Sequence, residues 1–167
     1  PETTYSSDSA INASYRGHTQ EGTDGQELSD YDLVGSRKHE AGLFALQQVD
    51  RFDLLYLPPP GKHRDLGPTA GLAAERFCRE RGAMLVVDPL LEWNSPAAAV
   101  AGVRDLGYAS PNLLGYFPRV YHRYDEATPA RPVGGALAGL LCKLDRNHGA
   151  WLDTDRQGLG LSRNLVP

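Results

Sequence analysis

From about residue 39 onward, stripes of apolar residues at helical spacing alternate with short unbroken apolar runs, the pattern of an α/β domain. His39–Val49 places Leu43, Leu46 and Gln47 on one face and predicts a helix. The run Asp53-Leu-Leu-Tyr-Leu57 behind it is stopped by Pro58-Pro59-Pro60-Gly61 and predicts a buried strand. Thr69 stands where it would cap a helix over 70–81, with Ala70, Ala73, Ala74 and Phe77 inward, Glu75, Arg76, Arg79 and Glu80 outward, and Gly82 at its end. Ala83-Met-Leu-Val-Val87, closed by Asp88-Pro89, predicts a central strand covered on both faces. Ser95-Pro96 is an N-cap followed by proline at the first helical position, ahead of a stripe of Ala99, Val100, Val103 and Leu106. Leu113–Tyr121 predicts an edge or bent strand because Gly115 and Pro118 interrupt it, and a last helix over 133–144 turns Leu137, Leu140, Leu141 and Leu144 inward.

The order β-α-β-α-β-α predicts a mainly parallel central sheet with helices on both faces, in which the runs 53–57 and 83–87 are adjacent parallel strands. Three regions follow: an irregular acidic segment at 1–35, the α/β domain at 36–151, and an irregular tail at 152–167. No repeat of solenoid period occurs.

Composition narrows the class. The chain has 167 residues, 41% hydrophobic and 23% charged, a balance that predicts one globular domain able to bury roughly two thirds of its unfolded surface. Its net charge of −4 is uneven: residues 1–35 carry seven acids and one base, Arg16, while the remainder carries 14 acids and 16 bases. Without a basic stripe interleaved with aromatics, nucleic acid is not an expected partner. No apolar stretch approaches the roughly 20 residues that span a bilayer, and the opening PETTYSSDS lacks the basic start and apolar centre of a signal peptide, so neither membrane insertion nor secretion is expected. Cys78 and Cys142 both lie in predicted helices among apolar neighbours and read as buried free thiols of a reducing cytoplasm.

Known catalytic and cofactor patterns are each incomplete. Gly61-Lys62 lacks the glycine five residues earlier, where Tyr56 stands, and the following hydroxyl, where His63 stands, so it cannot form a phosphate loop. Gly158-Leu-Gly160 has Arg163 in place of the third glycine of a dinucleotide fingerprint. Gly160-Leu-Ser162 ends in Asn164, where a nucleophile elbow needs glycine and a preceding strand. Asp153–Gly158 imitates half a calcium loop, but Asn164 occupies the position of the bidentate carboxylate. The histidines 18, 39, 63, 122 and 148 are scattered without zinc-helix spacing. Asp88 lies at the carboxyl end of a predicted central strand, where open α/β sheets keep their chemistry; an Asp before Pro also closes strands by a side-chain turn, and that structural role is the expected one. No cofactor or metal is expected.

An ordered set of segments resembles the contractile tail sheath proteins of bacteriophages and phage-derived injection machines. It runs from Gly25 and Asp30-Tyr31-Asp32 through Gly42-Leu-Phe-Ala-Leu46, Val49-Asp50-Arg51-Phe52-Asp53-Leu-Leu-Tyr-Leu57-Pro58 and Phe77-Cys78-Arg79-Glu80-Arg81. Met84-Leu-Val-Val-Asp88-Pro89, Leu114-Gly-Tyr116-Phe117-Pro118-Arg119, Val133-Gly-Gly-Ala-Leu-Ala-Gly139, Asp145-Arg146 and Gly149-Ala-Trp151 complete it. The match covers roughly residues 24–151 in order and spacing.

The resemblance implies a non-catalytic structural subunit that polymerises helically around an inner tail tube and contracts to drive the tube through a target envelope. Its implied partners are further copies of itself and the tube protein, and its implied location is the sheath of a virion tail or injection particle assembled in the bacterial cytoplasm. Asp50, Asp88, Pro118, Asp145, Gly149 and Trp151 are the positions it marks as structural. Sheath subunits are usually longer, with terminal arms that exchange between neighbours, and here Leu152-Asp-Thr-Asp155 replaces the family's usual residues after the tryptophan. The chain thus reads as one domain of a sheath protein or as a diverged member, monomeric in isolation. The alternative of another class is a small cytosolic α/β hydrolase-like enzyme using Asp88 and a histidine from elsewhere in the chain.

Overall fold

A computed structural model of the chain describes residues 25–61, 63–107, 110–122 and 130–151, together with the pairs 3–4, 14–15 and 165–166. At its centre is a parallel sheet of three short strands, β3 (Leu54–Tyr56), β4 (Met84–Val87) and β5 (Leu113–Gly115), in that order. Leu55 pairs with Leu85, and Val86 with Leu114. The runs 53–57 and 83–87 are therefore parallel neighbours as expected, and β4 is central. Two antiparallel pairs lie apart from this sheet: β1 (Thr3–Thr4) with β2 (Ser14–Tyr15), and β6 (Tyr121–His122) with β7 (Leu165–Val166).

Side chains alternate across the sheet. Leu55 and Leu85 point into the main core with Ala74, Phe77 and Cys78 of helix α2 (Pro68–Arg81) and with Leu43; Leu57 and Val87 pack against the same cluster. Leu85 is only 1% exposed. Phe77 stacks on Phe52 at 6.0 Å between ring centroids and meets Phe44 edge-on at 6.3 Å, geometries that aromatic quadrupoles favour. Tyr56 and Val86 take the opposite face, toward helix α4 (Gly134–His148), which buries Leu137 and half-buries Leu140, Leu141 and Leu144. The architecture is α/β with helices on both faces of the sheet. No helix among the described residues is long and apolar enough to cross a membrane.

Several expectations are corrected by tertiary context. The helix expected over 39–49 is a 3₁₀ helix over Gly42–Gln48. Its three-residue period keeps Leu43 and Leu46 inward but rotates Gln47 out to solvent. Thr69 does not cap α2, because Pro68 already occupies the first turn and the cap position is Gly67. The first-turn N–H groups of Thr69 and Ala70 instead donate to Asp30 Oδ2 at 3.1 and 3.2 Å. That carboxylate comes from the short helix α1 (Asp30–Val34), which stands inside the segment expected to be irregular. A reciprocal Ser29–Asp32 capping box starts α1: the Asp32 N–H donates to Ser29 Oγ, and the Ser29 N–H donates to Asp32 Oδ2 at 2.8 Å. Gly67 has no side chain for good reason: a Cβ there would collide with the Asp30 carboxylate.

Glu75, expected outward, is 8% exposed, because Gly71, Glu75 and Cys78 follow one another along a second buried flank of α2. Arg79 Nη1 approaches it at 3.5 Å. Helix α3 (Pro96–Asp105) starts as expected, with Ser95 Oγ accepting from the Ala98 N–H at 3.2 Å. Its inner stripe is Ala99, Val103 and Leu106, and Val100, about one residue's rotation beyond that stripe, is 55% exposed. The segment 113–121 divides into β5 and β6 after the interruptions at Gly115 and Pro118, and Val120 pairs with Arg131 in an isolated bridge. Helix α4 continues a turn past Leu144, ending where Gly149 turns the chain at φ +87° and donates to the Asp145 carbonyl. Cys78 is buried as expected, but Cys142 is exposed on the outer face of α4. The tail over 152–164, with its calcium-loop, dinucleotide and elbow imitations, lies outside the described residues, as do Lys62 and His18.

Val86 is 2% exposed between the sheet and α4, so Val86→Asp buries a charge without a partner. It is expected to cost on the order of 4 kcal/mol, most of the stability margin of such a domain, measured by urea unfolding; a variant with the parental midpoint would remove Val86 from the core. Asp30→Ala removes the carboxylate from the start of α2 and is expected to lower unfolding free energy by about 1–2 kcal/mol, with Asp30→Asn losing less because an amide oxygen still accepts. Equal losses in the two variants would show that capping is not what Asp30 contributes.

Candidate functional site

The carboxyl ends of the three parallel strands point the same way, and the chain sends polar residues to that edge from four directions. Tyr56 is the last residue of β3, Asp88 directly follows β4, Arg119 lies beyond β5, and Gly134 opens α4. Asp88 binds two of them: its Oδ2 accepts from the Tyr56 hydroxyl and its Oδ1 from the Gly134 N–H, both at 2.7 Å. The local turn expected of an Asp-Pro pair is thus replaced by contacts 32 and 46 residues away in the chain. An anion at the amino end of a 15-residue helix meets unpaired N–H groups and the positive end of the helix dipole. Gly134 allows the approach, since a Cβ there would meet the Tyr56 ring and the Asp88 carboxylate.

A second clamp lies alongside. Arg119 Nε donates to the Pro89 carbonyl at 2.9 Å, and its Nη2 pairs with Asp65 Oδ1. Asp65 Oδ2 accepts from the Leu91 N–H at 2.8 Å. The loops after β3, β4 and β5 are thereby tied to one another. The Arg119 side chain is 10% exposed, so this pair is far less screened than the surface pairs Arg51–Asp53 and Arg64–Glu27.

Burial pushes the Asp88 carboxyl above its ordinary pKa, against the lowering influence of Tyr56, the Gly134 N–H and Arg119. Burial and the neighbouring carboxylate raise the Tyr56 phenol, which stays protonated and donates. Cys78 is pushed up to about 11 by burial and by Glu75, so the thiol stays protonated and poorly nucleophilic. Both Asp88 oxygens are thus engaged by neutral donors, and no histidine hydrogen-bonds to Asp88 among the described residues. Among those residues no group of three or more His, Cys, Asp and Glu is arranged to hold a metal ion. The arrangement can lock a helix and three loops together; it does not present a paired nucleophile and base.

The other positions marked as structural lie elsewhere. Asp50 is exposed, and its carbonyl, with that of Val49, accepts from Arg81 Nη2 at the end of α2. Pro118 is exposed and follows a cis peptide bond, one residue before Arg119. Asp145, Gly149 and Trp151 gather at the far end of α4, where the exposed indole packs over Gly149. Asp88 alone of the six takes part in the clamp. Tyr56, Asp65, Arg119 and Gly134 were not singled out from the sequence; Tyr56, Arg119 and Gly134 lie in segments of the sheath resemblance, whereas Asp65 sits in a loop with no local signal. No family model matches the chain, and no curated protein or solved structure does so either.

Asp88→Ala leaves the Tyr56 hydroxyl and the Gly134 N–H without their acceptor and is expected to cost about 2–4 kcal/mol in urea unfolding, whereas Asp88→Asn, which offers one acceptor and one donor, costs less. The pH dependence has a defined sign. Because the folded-state pKa is raised, the folded chain binds this proton more tightly than the unfolded chain. The stabilisation is complete below the unfolded pKa and is lost as pH rises through the folded one. Unfolding measured at increasing pH, starting from the ordinary carboxylate range, should show parental stability falling relative to Asp88→Asn; a relative rise would contradict the raised pKa.

Proposed function

We propose that the chain is a structural subunit, or one domain of a subunit, of a contractile tail sheath, from a bacteriophage tail or a phage-derived injection machine. In this reading it polymerises helically with other copies of itself around an inner tube, contracts to drive the tube outward, and performs no catalysis. The observation that carries the proposal is the convergence of four separate segments of the resemblance at the Asp88 clamp. Tyr56 comes from the Val49–Pro58 segment, Asp88 from Met84–Pro89, Arg119 from Leu114–Arg119 and Gly134 from Val133–Gly139.

Residues that lie far apart along the chain and bind one another in space tie its segments together, as a load-carrying domain requires. Their hydrogen-bonding capacity is directed inward, which supports a scaffold role over an enzyme's. A sheath also needs heterologous contacts that do not close on themselves, so that addition of subunits continues along the tube.

Electron microscopy and light scattering test the proposal. Residues 1–167 alone are expected to remain monomeric, and the same residues carried with native sheath-type flanking arms are expected to form long tubes, because exchanged strands supply the intersubunit backbone hydrogen bonds. A soluble monomer with the arms attached would overturn the assignment, and tubes from residues 1–167 alone would show that the arms are dispensable.

A further inference from the structure

Between the two clamps lies a cavity of about 20 Å³, whose lining includes Leu57, Val86, Leu106, Asp65, Asp88 and Arg119. Roughly 10–15 Å³ is enough for one water, which is held in place when two to four polar groups face it. Three charged side chains meet that requirement here. Each carboxylate oxygen of Asp65 and Asp88 already accepts one hydrogen bond and has capacity for another. Arg119 donates through Nε and Nη2, while its Nη1 has no acceptor among the described residues. Arg119 and Asp88 line the same space without forming a direct ion pair, which leaves a bridging role open to a molecule between them. Leu57, Val86 and Leu106 wall the space with hydrocarbon, and its volume is enough for one water.

We propose that this cavity binds one water molecule, which accepts from Arg119 Nη1 and donates to Asp88. The two clamps then form one network running from Leu91 through Asp65, Arg119 and the water to Asp88, Tyr56 and the first turn of α4. Its remaining proton is directed to the free lone pairs of Asp65. This site is internal to the subunit, and it holds whether or not the chain assembles into tubes.

A crystal structure of the full chain at about 1.5 Å resolution is expected to show one solvent peak within hydrogen-bonding distance of both Arg119 and Asp88. In solution, water-selective NOE spectra of the isotope-labelled protein should give cross-peaks of resident-water sign at the amides of Asp88 and Leu90. Folded Leu106→Phe, whose larger side chain takes up the cavity, should lose them. A dry cavity, a direct Arg119–Asp88 ion pair in its place, or absence of the cross-peaks in the parent protein would overturn the proposal. So would their persistence in folded Leu106→Phe; the parent protein decides the matter should that variant not fold.

Discussion

The Asp88 carboxylate is the contact on which the arrangement of sheet and helices turns. It sits where the central strand ends, and it binds the last residue of the neighbouring strand and the first N–H of α4. Hydrophobic burial of Leu137 draws α4 to the sheet, but burial is non-directional and leaves the helix free to slide. A hydrogen bond to one named N–H at 2.7 Å fixes where the helix starts. Two donors, a helix dipole and a nearby guanidinium offset part of the penalty of removing this carboxylate's charge from water, and burial still outweighs them.

The four α-helices among the described residues begin in two different ways. α1 and α3 are capped by serines immediately before them, Ser29 and Ser95. α2 and α4 are the long helices that cover the sheet, and their first N–H groups bind carboxylates from other elements, Asp30 and Asp88. A local cap stabilises a helix wherever it lies. A carboxylate supplied from elsewhere stabilises it only in one position relative to the donor, so these two contacts join helix formation to tertiary order. Gly67 and Gly134 are the counterparts of this arrangement, each lacking a side chain where a carboxylate comes close.

The same inward commitment of polar groups bears on function. Here Asp88, Tyr56, Arg119 and Asp65 bind one another and the backbone. A network of that kind stiffens one edge of a small domain, a property in keeping with the proposed role as a sheath building block that is loaded mechanically.

Most of the α/β architecture was legible in the order of residues, because burial of periodic apolar stripes and runs is a local signal. Leu54–Tyr56, Met84–Val87, the proline-started α3 and the Gly82 stop all follow from spacing and backbone preference. Asp88 was legible as a residue of note from its place after a central strand. Its partners were not, since nothing at positions 56 or 134 announces a hydrogen bond to position 88, and Asp65 carries no pattern at all. Tertiary structure alone decided that Glu75 would be buried, that Val100 would face solvent, and that Asp30 rather than Thr69 would cap α2. Periodicity reports how a segment meets its own axis; which groups meet across tens of residues depends on how the segments pack, and that is set by the whole chain at once.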